Sequence, residues 1–283
     1  MAKVQLKETD DLLDIRYDAV FKAVFTRDIP ASKMALSRLV SAYIGRNVSV
    51  ININANEQPI ENLADRRIRF DINCRAENGE LINVEMSLNP DSFEPVRLEF
   101  YAGKLFTAQD IHGIGKDYSD LKEAYQITLL AKERFFPDDF FLHAFEYYDP
   151  KLKVSLNGRS RIITVELSKL GQVIEKPTAE LSVQEYWAIF FQYLTDKGIR
   201  RKINEIMEQE EGIAMASEVL LTVSKDEAER ARLMSEYKYQ LDTQSKLVHA
   251  EREGLKRGKQ EIIDLLKSGK SPEEIIKEYN RDS

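Results

Sequence analysis

Residues 66–88, RRIRFDINCRAENGELINVEMSL, constrain this chain more than any other stretch. In the first half Arg67, Arg69, Asp71, Asn73 and Arg75 alternate with Ile68, Phe70, Ile72 and Cys74. In the second half Leu81, Asn83, Glu85 and Ser87 alternate with Ile82, Val84, Met86 and Leu88. A period of two marks half-buried strands, so the stretch predicts a β-hairpin with one apolar and one polar face. Opposed residues of an antiparallel pair point to the same face, and a one-residue slip would turn polar side chains into the core. A two-residue Asn-Gly turn gives the wrong parity, setting Asp71 against Met86. A three-residue loop, Glu77-Asn78-Gly79 with Gly79 left-handed, restores it.

On that register Asp71 faces Glu85, with Cβ atoms roughly 5 Å apart. Two like charges so placed destabilise the pair unless one is protonated or a cation sits between them. A small set of oxygen ligands suits Mg²⁺ or Mn²⁺.

Other readings of the residues narrow the class. With 283 residues, 43% of them hydrophobic, the chain can fill a core of its own. One cysteine excludes an internal disulfide framework and a Cys-rich zinc site, and Cys74 on the apolar face of its strand reads as a buried structural thiol. No run reaches the length of a membrane helix and the N-terminus lacks the apolar segment of a signal peptide. A cytoplasmic location and no membrane partner are expected. The net charge of −7 argues against a broadly cationic nucleic-acid binder; if DNA is the partner, contact must come from local patches such as Arg66, Arg67 and Arg69.

Along the chain, residues 10–25 carry a helical apolar stripe, with Asp18 and Lys22 one turn apart on its other side. These two are either a solvated ion pair or support for the acidic pair. A helix over 31–44 stopped by Gly45 and a strand over 48–54 precede the hairpin. After it, Asp91 and Glu94 read as a capping box opening a helix to about Gln109, with Arg97, Tyr101 and Lys104 along one ridge. The loop around His112, Gly113 and Gly115 lacks the ending of a phosphate loop. Strands are expected over 124–130 and 160–167, with an aromatic-rich stretch between them that reads as sheet edge and core, or less simply as a stacking surface for bases. From Ser182, a capping box with Glu185 opens helical sequence, and beyond Lys225 comes a long solvated helix of balanced charge, able to coil with a partner. Ser271, Pro272 and Glu274 start a last helix.

Asp71, the intervening hairpin and Glu85-Met86-Ser87 resemble the catalytic core of the PD-(D/E)XK nuclease superfamily, and specifically its Rpn-type branch of recombination-promoting nucleases and transposases. Upstream, Asp18, Phe21, Lys22 and Phe25 in YDAVFKAVF are similar to that family's opening helix. Downstream, Arg97, Tyr101, Gln109, Gly115 and Tyr118 fall where its Arg-x-x-x-Tyr, Gln and Gly-x-x-Tyr elements stand. The resemblance covers roughly the first half of the chain and implies a restriction-endonuclease-like α/β sandwich with a helical C-terminal region. Expected divisions are a nuclease-like domain over 1–178, a helical extension over 179–224 and a charged helical tail over 225–283. It also implies Mg²⁺ (or Mn²⁺) held by Asp71 and Glu85, with Asp18 in support, and DNA as substrate. Lys22, Arg69, Tyr101 and Gln109 would contact phosphate. One position departs from the pattern. Ser87 stands where the superfamily usually has Lys and this branch often Gln, and serine supplies neither charge nor a base at neutral pH. Arg97 or Lys104 would then bring the missing cation. Two activities are open on these grounds: a metal-dependent DNA endonuclease with a role in recombination, or a catalytically weakened nuclease fold that binds DNA or regulates as a homo-oligomer through its C-terminal helices.

Overall fold

The computed structural model describes residues 4–54, 71–111, 117–132, 134–156 and 158–279. Its elements, in order, are α1 (Asp18–Phe25), α2 (Pro30–Ile44), β1 (Val50–Asn54), β2 (Ile72–Ala76), β3 (Leu81–Ser87), α3 (Glu94–Thr107) and β4 (Ala124–Leu130). They continue with β5 (Leu142–Phe145), β6 (Tyr148–Asp149), β7 (Val154–Ser155), β8 (Ser160–Glu166), α4 (Val183–Tyr193), α5 (Arg200–Gln209), α6 (Glu211–Lys225), α7 (Glu227–Lys267) and α8 (Pro272–Tyr279). By contacts the chain divides into two units, residues 1–231 and residues 232–283, so α4, α5 and α6 belong to the same compact unit as the sheet.

The sheet runs β1-β2-β3-β4-β8-β5. Its first three strands are an antiparallel meander, β3, β4 and β8 are parallel, and β5 closes the edge antiparallel to β8. Parallel neighbours need a crossover, and α3 supplies the one between β3 and β4. The hairpin has the expected register: Ile72 pairs with Val84, Asn73 with Asn83 and Cys74 with Ile82. Its turn holds Glu77, Asn78 and Gly79, closed by Ala76 and Glu80, with Gly79 at φ +92°. An L side chain rarely adopts that backbone, which is why glycine stands there.

One side of β3 and β4 departs from expectation. The alternation predicted a solvated polar face, yet every residue of β3 and β4 is buried. Helix α3 packs over β3, β4 and β8, with Leu105 meeting Leu81 and Ala124. Beneath it lies a buried polar layer of Asn83, Glu85, Gln126, Thr128 and Thr164. The opposite face, with Cys74, Ile82, Val84, Ile127, Leu129, Ile163 and Val165, is apolar and buried. Burial pushes the Cys74 thiol up to about 12, which leaves it protonated and inert.

The helices α1, α2, α4, α5 and α6 pack on one another around the rings of Phe21, Phe25, Trp187 and Phe191, whose centroids lie 5.1 to 6.2 Å apart between neighbours. The Val48 and Val50 amides donate to Ser41 Oγ at 2.8 Å and Ser37 Oγ at 3.0 Å, fixing β1 to α2. Helix α1 begins at Asp18 and not at residue 10, because the preceding backbone finds partners elsewhere; the Leu13 amide, for one, donates to Ser224 Oγ of α6 at 3.0 Å. The layered α/β architecture is the restriction-endonuclease-like one that the resemblance implied.

Several boundaries match the sequence reading: β4, the Ser182/Glu185 capping box at α4, the Gly45 stop in left-handed conformation, and the Ser271/Glu274 box at α8. The Asp91/Glu94 box does not form. Asp91 Oδ1 accepts instead from the Phe93 amide, and the Glu94 carboxylate is taken by Arg97. No described helix is long and apolar enough to cross a membrane.

Candidate active site

The candidate site lies where β3 ends, beneath the first turn of α3. Continuing the β2/β3 register by one pair sets Asp71 opposite Glu85. Glu85 is buried, at 4% exposure, and Asp71 is half-buried. Each carboxylate is gripped on one oxygen by a neutral donor: the Met86 amide donates to Asp71 Oδ2 at 3.1 Å, and Gln126 Nε2 donates to Glu85 Oε2 at 3.1 Å. The other oxygen of each faces a cation. Lys22 Nζ, from α1, is 3.2 Å from Asp71 Oδ1 and 2.8 Å from Asp18 Oδ1. Arg97 Nη1, from α3, is 3.4 Å from Glu85 Oε1.

The guanidinium of Arg97 reaches further. Its Nη2 donates to Glu94 Oε1 at 2.6 Å and to Ser87 Oγ at 3.2 Å, and its charge lies 5.8 Å from the Tyr101 ring centroid. Charge thus stands beside Ser87 although residue 87 carries none.

Electrostatics shows the pair to be incompletely compensated. Burial, then the charge of Asp18, raises Asp71 from its ordinary 3.8 to about 6, against the opposing pull of Lys22 and the Met86 amide. Burial, then the charge of Asp71, raises Glu85 from 4.5 to about 8, against Arg97. Burial pulls Lys22 down, but Asp71 and Asp18 more than restore it. Tyr101 is raised by burial and then by the charge of Glu85, which puts its hydroxyl in the field of the site. Neighbouring carboxylates whose proton affinity is raised in this way are candidates for function, and a further cation between them would lower it again.

The donor set suits such an ion. Carboxylate oxygens are the hard ligands of Mg²⁺ and Mn²⁺. Among the described residues no group of three or more His, Cys, Asp or Glu side chains is arranged to hold a metal ion. Two carboxylates are a donor set that fits an ion keeping several waters of its own, as Mg²⁺ does.

Of the residues singled out from sequence, Asp71, Glu85, Ser87, Arg97, Tyr101, Asp18 and Lys22 come together. Lys104 does not; it is exposed on α3, with Nζ 5.7 Å from the Phe100 ring centroid. Gln109 is engaged elsewhere, clamping the Lys122 backbone by accepting at 2.7 Å and donating at 2.9 Å. Arg66, Arg67, Arg69 and the His112, Gly113 and Gly115 loop lie outside the described residues. Two contributors were missed. Glu94 had been read as a cap. Gln126 stands third in a strand of otherwise apolar and hydroxyl residues, AYQITLL, where a lone primary amide is the available signal.

A family model described as PD-(D/E)XK nuclease family transposase matches residues 15–250. No curated protein matches the chain, and no solved structure does.

Proposed function

The chain belongs to the PD-(D/E)XK nuclease family transposases, and from that premise we propose that it is a metal-dependent endonuclease hydrolysing phosphodiester bonds of DNA. The opposed, protonation-prone pair Asp71 and Glu85 carries this reading. With a backbone carbonyl of β3 they would hold Mg²⁺ or Mn²⁺, and Asp18 supports them from α1. Bound there, the ion supplies Lewis acidity that activates water and offsets charge on the scissile phosphate.

The chain's own residues do the rest. Arg97, set against Ser87 and Glu85, supplies the positive charge that lysine brings elsewhere in the superfamily. Its planar fork suits a phosphate oxygen. Lys22 keeps Asp71 in place and offers its ammonium to phosphate, and Arg69 and Tyr101 add contacts to the backbone of the substrate. Glu85, ionised once a cation sits beside it, would serve as a ligand to that cation and not as a proton carrier. A part in recombination would follow from cutting DNA.

We also propose that the protein assembles through its last helices. Met234, Leu241, Val248, Leu255 and Ile262 recur at seven-residue spacing along α7, and Met234, Leu241, Leu255 and Ile262 are 40% or more exposed. A seven-residue apolar repeat marks one of the two positions that make the seam of a coiled coil. The second reading, a nuclease fold that binds DNA or regulates without cutting, is favoured by Ser87 and by the engagement of both Lys22 and Arg97 with acids.

Incubating supercoiled plasmid with Mg²⁺, with Mn²⁺ and with EDTA, with Glu85→Ala alongside, separates the two. Nicking that needs metal and vanishes in the variant supports the nuclease. Salt-sensitive DNA binding without cleavage selects the second reading.

A further inference from the structure

We propose that Gln126 is a positioning residue for Glu85, and that Asn83 dictates which way the Gln126 amide faces. The proposal rests on the reading of Asp71 and Glu85 as a cation-binding pair and adds the device that orients one member. Gln126 and Asn83 are both at 0% exposure, on neighbouring strands and directly paired in the β3/β4 register. Asn83 Nδ2 donates to Gln126 Oε1 at 2.8 Å. The Gln126 amide nitrogen then has two hydrogens to place, and it donates one to Glu85 Oε2 at 3.1 Å and the other to Thr128 Oγ1 at 3.0 Å.

With Asn83 in this orientation, the arrangement permits one orientation of Gln126. A primary amide can be turned over, exchanging its oxygen for its nitrogen. Turning Gln126 would set its NH₂ against the Asn83 NH₂ and its carbonyl against the Glu85 carboxylate, replacing two of its three hydrogen bonds by repulsions and leaving only the Thr128 one to be remade, with the hydroxyl donating. Asn83 therefore keeps Gln126 donating, and Gln126 keeps Glu85 Oε2 engaged. The free oxygen, Oε1, is the one turned toward Arg97. Asp71 follows the same plan, with Oδ2 held by the Met86 amide and Oδ1 facing Lys22. One oxygen of each acid is spent on orientation and the other is left for a cation. The packing of α3 onto the sheet does not call for buried amides, since apolar side chains of like shape would serve it equally; the catalytic pair does.

The test uses the full-length protein and Mn²⁺ alone as probe. Outer-shell partners of this kind usually change metal affinity about 10- to 100-fold. Gln126→Met, close in length but without donors, is expected to weaken Mn²⁺ binding by about tenfold or more while circular dichroism shows the fold retained, with a lowered melting temperature from the Asn83 amide left unpaired. Asn83→Leu should weaken it less, and the double variant no more than Gln126→Met, because both act along one chain of hydrogen bonds. Wild-type affinity in Gln126→Met, or losses that multiply in the double variant, would overturn the proposal. A second readout needs no metal: the side-chain amide resonances of Gln126 should move in Glu85→Ala and stay in place in Lys104→Ala. If wild type binds Mn²⁺ no better than Asp71→Ala does, the nuclease reading fails, and a Gln126 resonance indifferent to Glu85→Ala would then sink the positioning role as well.

Discussion

Glu85 and Glu166 lie buried at the same edge of the sheet, near the ends of parallel strands β3 and β8, yet they are compensated in opposite ways. Glu166, at 0% exposure, has two amides on one oxygen and a close ammonium on the other. The amides of Phe135 and Phe136 donate to its Oε2 at 2.6 and 3.2 Å, and Lys169 Nζ, itself buried, is 2.6 Å from Oε1. Lys169 also reaches the Phe140 carbonyl and Asp138, so the group ties the segment after β4 to the end of β8. Glu85 has a single neutral donor, a guanidinium at 3.4 Å and a second carboxylate across the hairpin. Burial is common to both and so distinguishes neither. What marks the functional candidate is the like charge opposite it and the attraction left unmet.

The largest expected effect follows directly from that contrast. Asp71→Ala and Glu85→Ala should lower metal-dependent cleavage by on the order of 10³-fold, as loss of several kcal/mol of charge stabilisation implies, with no loss of thermal stability. Glu166→Ala should do the reverse. Removing one partner of a buried pair typically costs roughly 3–5 kcal/mol, and urea unfolding would read it. If Glu166→Ala were as stable as wild type, compensation would not be what separates the two glutamates.

The next effect lies within α3. Arg97→Ala should reduce cleavage on the order of 10²-fold, the usual cost of removing one stabilising group from a reacting oxyanion, while Lys104→Ala should stay close to wild type. Equal losses would return Lys104 to the site.

A pH profile sharpens the comparison further. Glu85 and Asp71 bind protons more tightly in the folded protein than in the unfolded chain, up to about 8 and about 6 against 4.5 and 3.8. Folding of the metal-free protein therefore takes up protons in that window. The stability they contribute is full below about pH 4 and is lost as pH rises through 6 and then 8. The melting temperature of wild type without metal should fall from pH 5 to pH 9, and Glu85→Gln should flatten the slope. An identical slope in both would place the proton uptake elsewhere.

The smallest effect is expected at the far end of the hairpin. Gly79→Ala, strained at φ +92° and pressing its Cβ to 3.3 Å from Lys122 Cγ, should cost about 1 kcal/mol and leave Mn²⁺ binding intact.

These differences also explain which parts of the molecule could be read from the chain alone. The register that opposes Asp71 and Glu85 follows from local information, the alternation of side chains and the parity forced by a turn ending in Gly79. Strand β4 and the box at Ser182 were equally local. The burial of the polar face was not, because it depends on α3 folding back across strands β3, β4 and β8. The Asn83–Gln126–Glu85 chain depends on parallel pairing between segments some forty residues apart, and no local pattern records that register. Arg97 and Lys104 share one ridge in the sequence, and only the seating of α3 decides that Arg97 turns to Glu85 while Lys104 faces outward.

The most direct measurement is the melting temperature of wild type and Glu85→Gln at pH 8 as Mg²⁺ is added to metal-free protein. If Asp71 and Glu85 form an undercompensated pair completed by a cation, Glu85→Gln starts the more stable of the two and gains nothing from Mg²⁺, whereas wild type gains several degrees. Equal gains in both proteins, or none in either, would contradict that account.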